Sequence, residues 1–69
     1  MPVVGADVIV DHLGTVEHGI IDSVDPEART VRVRTERGGM LTFALNRATA
    51  TFTTDGGQTG SRLRFELSD

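Results

Sequence analysis

The stretch Thr30 to Leu45, TVRVRTERGGMLTFAL, limits what this chain can fold into more than any other. Val31 and Val33 alternate with Arg32 and Arg34, and a Gly38-Gly39 pair then breaks the run. Beyond it, Leu41, Phe43 and Leu45 alternate with Thr42 and Ala44. Period-two alternation on both sides of a glycine turn specifies a β-hairpin with one apolar face. An isolated two-stranded hairpin is at best marginally stable in water. The rest of the chain must therefore wrap it.

The flanking segments supply the wrapping. Asp7 to Asp11 (DVIVD) reads as a short strand, with Val8 and Val10 on one face and Ile9 on the other. His12, Leu13 and Gly14 form a turn, and Thr15 to Val24 reads as a second strand. There Val16, Ile20 and Val24 share a parity that also carries Asp22 inward. A bulge near Gly19 or near Asp22-Ser23 is expected to relieve this conflict. Asp25-Pro26-Glu27-Ala28-Arg29 is a polar turn, because Pro presets its own φ and Asp can accept from the backbone beyond it. After a turn at Asn46-Arg47, Ala48, Ala50 and Phe52 alternate with threonines, whose branched Cβ suits a pleated surface. Asp55 to Ser61 (DGGQTGS) reads as a mobile loop. Arg62 to Leu67 closes the sheet, with Leu63, Phe65 and Leu67 inward.

Five or six strands spaced roughly 8–12 residues apart indicate an all-β sandwich or barrel. No window carries a helical apolar stripe. The expected fold is a single domain over residues 1–69, a small five- or six-stranded β-barrel. Its expected core is Val8, Val10, Val16, Ile20, Val24, Val31, Val33, Leu41, Phe43, Leu45, Phe52, Leu63, Phe65 and Leu67.

With 69 residues, such a domain buries only about 60 % of its unfolded surface and is marginally stable. There is no cysteine for a disulfide or thiolate metal site, so barrel closure or association must help hold the fold. Edge strands on so small a barrel would also invite pairing with a partner strand. No run approaches the roughly 20 apolar residues that span a bilayer, and no basic-then-apolar leader is apparent. The expectation is a soluble cytoplasmic protein.

The segment order of strand, Gly14-containing turn and GIIDSVDPEARTVRVRTERGG resembles the small barrels of the SH3-like superfold, including KOW and Tudor-type modules. It also resembles the Sm-like pattern, in which a strand ends at an Asp before a turn and a Val-rich strand follows. The resemblance implies an SH3-like barrel that binds other macromolecules. The chain departs from Sm-like proteins in lacking room for their N-terminal helix. It departs from Tudor domains in lacking an aromatic cage, since there is no Trp or Tyr and all three Phe fall at core parity. A methyl-lysine reader, which needs exposed aromatic faces, is not expected.

Candidate chemistry is sparse. His12 and His18 lie among Asp11, Glu17 and Asp22, but the spacing matches no metal-ligand signature. Ser occurs only at 23, 61 and 68, with no His near it in sequence. Small barrels of this size also have little room for an enclosed pocket. The Gly-rich loop precedes a strand and the chain has no Lys, so it does not read as a phosphate cradle. No catalytic residue, metal, cofactor or small-molecule substrate is expected.

The arginines carry the remaining signal. The formal charge is −6 over residues 1–28, +4 over 29–47 and −1 over 48–69. Arg32 and Arg34 share a strand face, Arg29 and Arg37 flank it, and Arg47 lies in the next turn. These five are the candidate partner- or nucleic-acid-binding residues. An arginine face suits phosphates, but there is no exposed aromatic on which a base would stack. The competing reading is cross-strand pairing with Asp22, Glu17 or Glu66, worth about 0.2–1 kcal/mol per pair. The charge split suits head-to-tail docking between copies, with Met40 and the outward member of Ile9, Ile21 or Val16 as apolar contacts. The expected function is therefore a non-catalytic binding or assembly module, with a protein partner or homo-oligomer favoured over RNA or DNA.

Overall fold

The computed structural model describes residues 2–57 and 59–65. Six strands follow in chain order: β1 (Asp7–Asp11), β2 (Val16–Asp25), β3 (Thr30–Thr35), β4 (Met40–Asn46), β5 (Thr51–Thr53) and β6 (Arg62–Phe65). All neighbours are antiparallel, and β6 returns to β1 to close a barrel. The Val8↔Phe65 to Asp11↔Arg62 ladder provides that closure. β6 pairs with both β1 and β5, which overturns the expectation of open edge strands. The seam between β5 and β6 is short, resting on Thr53↔Arg62 and on the bond from Thr54 N–H to Ser61 C=O.

The central hairpin forms as its pattern requires. Val31 pairs with Phe43 and Val33 with Leu41. Gly38, at φ 87°, ends a three-residue loop closed by the bond from Thr35 N–H to Gly39 C=O. A three-residue hairpin loop places its last residue in the left-handed region, where glycine is unstrained.

The second strand departs from expectation. The β1–β2 loop contains two residues, Leu13 and Gly14, closed by a 2.8 Å bond from His12 N–H to Thr15 C=O. This sets Val10 opposite Glu17 and Val8 opposite Gly19. A three-residue turn would have slipped the register by one, and such a slip exchanges the two faces of a strand. Glu17, Gly19 and Ile21 consequently face inward, whereas Val16 and Ile20, expected in the core, are 58 % and 45 % exposed. The expected bulge occurs at Asp22, between the pairs Ile21↔Val33 and Ser23↔Arg32. It returns Val24 to the inner face opposite Val31.

The core consists of Val8, Val10, Ile21, Val31, Val33, Phe43 and Leu63, with Ala6, Val24, Leu41 and Phe52 packed against it. Phe65 was expected inside but is 42 % exposed, its ring meeting Phe52 edge-on at 6.1 Å. It occupies the last described position of β6, where the barrel opens. Leu67 lies outside the described residues.

Gly19 leaves little room for a side chain between β2 and β3. A Cβ there would lie 2.7 Å from Val33 Cγ1 and 3.1 Å from the Arg34 carbonyl oxygen. Gly19→Ala therefore forces the β2–β3 wall apart. It should lower the unfolding free energy by roughly 1–3 kcal/mol, the usual cost of overpacking, as read from a shifted urea midpoint.

Candidate functional site

Successive turns of an antiparallel meander alternate between the two ends of the barrel. Residues 12–15 and 36–39 therefore lie at one end, the Leu13 end. Residues 26–29 and 47–50 lie at the other, the Arg29 end. This separates the candidate arginines. Arg29 and Arg47 stand at one end, Arg37 at the other, and Arg32 and Arg34 on the wall between. Arg34 bonds Asp22 at 3.2 Å, the cross-strand pairing expected as the alternative to a phosphate contact. Such an exposed pair contributes about 0–1 kcal/mol. The Arg37 charge acts on Glu17, and Glu66 lies outside the described residues. Among the described residues, Arg29, Arg32 and Arg47 have no ion pair.

The Leu13 end is sealed by a polar network that spacing along the chain does not reveal. His12 Nδ1 lies 2.7 Å from Ser61 Oγ, and its Nε2 lies 2.6 Å from Glu17 Oε2. A neutral ring protonated on Nε2 donates to Glu17 and accepts from Ser61, whereas the imidazolium donates to both. The inward register of β2 buries Glu17. The His12 bond holds its carboxyl below its ordinary range against the opposing effect of burial. The Thr35 hydroxyl and the charges of Arg37 and His12 add to the lowering. Glu17 Oε1 is buried without a well-formed hydrogen bond, so the Thr35 contact is a weak one. His18, by contrast, faces outward, 3.4 Å from Asp7. The two histidines thus serve different surfaces. Among the described residues, no three His, Asp or Glu side chains converge as a metal site.

The loop from Asp55 to Ser61 is organised by one carboxylate. Asp55 accepts from Gly57 N–H at 2.8 Å and from the Thr59 hydroxyl at 2.7 Å. The Thr53 hydroxyl lies 3.1 Å from both Asp55 Oδ1 and the Gly57 carbonyl, which also accepts from Asn46. The loop therefore folds back over β4 and β5 and buries Thr53 on their outer side. These bonds, first of all that from Thr59, lower the Asp55 pKa to about 2.

The Arg29 end is built differently. Pro2, Val24, Leu45 and Phe52 line an open, mainly apolar cleft of about 240 Å³, with Pro26 and Arg29 on its rim. A cavity of roughly 150 Å³ with apolar walls accepts benzene, so a single branched or aromatic side chain fits this mouth. On the rim, Asp25 Oδ1 is already used by the N–H groups of Glu27 and Ala28. Arg29 adopts φ 58° and Leu13, at the opposite end, φ 63°. A non-glycine residue there costs roughly 1–2 kcal/mol.

A mixed strip on the wall joins the two ends. Ile20 lies between Asp7 on β1 and Arg34 on β3, and Arg34 faces Met40 on β4. Val4, 61 % exposed, lines the same hollow as Ile20, Asp22 and Arg34. No family model, curated protein or solved structure matches the chain.

The Asp55 bonds have a definite pH signature. A carboxyl with a lowered folded pKa contributes stability that is complete above its unfolded value and is lost as pH falls through its folded value. That contribution should be intact above about pH 4 and disappear as the pH approaches about 2. Asp55→Asn should be less stable than the parent at neutral pH and lose less stability on acidification. Thermal unfolding followed between neutral pH and pH 2 would show this.

Proposed function

We propose that this chain is a non-catalytic β-barrel module that works through protein contacts, including contacts with its own copies. The observation that carries this reading is the outward turn of Ile20 between Val4 and Met40, with Asp7, Asp22 and Arg34 interspersed. Large apolar side chains bordered by charges of both signs suit a protein interface with an apolar centre and a polar rim. The strip carries charges of both signs, Arg34 and Asp22 being paired within the chain, so an identical patch can face it without a block of like charge. An SH3-like affiliation of the barrel is consistent with such a role, and the reading rests on the surface, since one fold serves many functions.

Nucleic-acid binding through Arg29, Arg32, Arg34, Arg37 and Arg47 is less well supported, because these residues occupy two ends and a wall and Arg34 is paired. Light scattering of nucleic-acid-free protein should give an oligomer at low salt, shifted towards monomer by Ile20→Ser. A monomer under all conditions would exclude self-association and leave an outside protein partner. Nucleic-acid affinity that weakens with a shallower salt slope in the Arg32→Gln/Arg34→Gln variant would favour phosphate contact instead.

A further inference from the structure

We infer that copies of this chain assemble head to tail, the Leu13 side chain of one entering the apolar mouth at the Arg29 end of the next. This goes beyond the Ile20 strip to a second pair of surfaces, and it rests on the reading that copies of the chain associate. The knob and the socket are both present in one molecule. Leu13 is 54 % exposed at the tip of the β1–β2 turn. It adopts the positive φ for which such a two-residue turn ordinarily uses glycine in its first position. A leucine there satisfies neither the backbone preference nor burial within its own molecule.

The socket has the matching properties. Val24, Leu45, Phe52 and Pro2 form its apolar lining, and its volume of about 240 Å³ admits a leucine side chain. Charge supports the pairing. Asp11, two residues before the knob, accepts from Leu13 N–H at 2.8 Å through Oδ1 and faces Arg64 at 4.0 Å through Oδ2, and it keeps its negative charge. Arg29 on the socket rim has no ion pair among the described residues. Docking Leu13 brings an acidic flank to that arginine. The rim also carries the Asp25 carboxylate, turned towards the N–H groups of Glu27 and Ala28.

Knob and socket lie at opposite ends of a barrel measuring 27 × 26 × 26 Å, so the contact is heterologous. Such contacts propagate into chains or close into rings according to the rotation between copies. The pairing joins one acid of the first third of the sequence to one arginine of the middle third. Asp11 belongs to the first and Arg29 to the second.

The chain lacks cysteine, so a spin label can be placed on Thr15→Cys, exposed beside the knob. Mixing this unlabelled-nitrogen protein with nitrogen-15 parent protein should selectively bleach the amides of Val24, Leu45 and Phe52. Leu13→Asn, which tolerates the turn conformation, should fold as well as the parent. It should abolish the bleaching and weaken association about tenfold or more. Arg29→Asn should weaken it in the same direction. Bleaching centred instead on Ile20 and Met40, unaffected by Leu13→Asn, would overturn the head-to-tail contact while leaving assembly intact. No intermolecular bleaching at any concentration would overturn both the contact and self-association.

Discussion

The register of β1 on β2 decides most of what this barrel presents to its surroundings. It is fixed by a two-residue connection, Leu13-Gly14, closed by the bond between His12 and Thr15. With Val8 and Val10 committed to the core, the residues opposite them must also face inward, and these are Gly19 and Glu17. Gly19 suits that place because no side chain fits between it and Val33. Glu17 is tolerated because His12 supplies a hydrogen bond to its carboxylate. The same register turns Val16 and Ile20 to the surface. A bulge at Asp22 then restores the inward parity that Val24 needs against Val31. One short turn thus sets the burial of one carboxylate, the exposure of two aliphatic side chains and the position of a bulge.

That register also makes the two ends chemically unlike. At the Leu13 end, inward Glu17 meets His12, and His12 meets Ser61 on the segment leading into β6. This ties the β1–β2 turn to the last strand close to the short β5–β6 seam. At the Arg29 end, the inner face is completed by half-buried Phe52, Val24 and Leu45, and the opening stays apolar. Burial of the mouth by a partner would add apolar contact at about 25 cal/mol per Å² removed from water. A domain of this size has few internal ways to gain the same.

The parts of the fold legible in the sequence are those where alternation and turn chemistry agree. Val31, Val33, Leu41, Phe43 and Gly38 form one consistent pattern, so the central hairpin follows directly. The second strand is ambiguous because Ile20 and Ile21 are adjacent and equally apolar. Parity there depends on whether the preceding turn holds two residues or three. Burial of Glu17 is illegible for a different reason. Its partner His12 is five residues away and the next member, Ser61, is another 49 from His12, distances that only the closed barrel brings together. The Asp55 loop looks mobile as a string of glycines. Its order comes from Thr53, Gly57 and Thr59 converging on one carboxylate. The arginines are correctly read as outward on β3. Their division between the ends and the wall follows from strand order, which composition does not contain.

Local preferences are broken at three non-glycine residues in surface turns, Leu13, Arg29 and Ala50. Leu13 and Arg29 both adopt positive φ, each exposed, each at a turn, and at opposite ends. Glycine or asparagine would satisfy either turn with less strain. Neither side chain packs into its own core, although the Arg29 carbonyl accepts from Leu45 N–H within the barrel. Conflicts between local preference and fold are expected where a residue serves function. An apolar tip at one end and an apolar mouth at the other, its rim bearing Arg29 and Asp25, are complementary in size. Under the head-to-tail contact proposed above, the strain at Leu13 and Arg29 is the cost of presenting a side chain whose partner lies outside its own molecule.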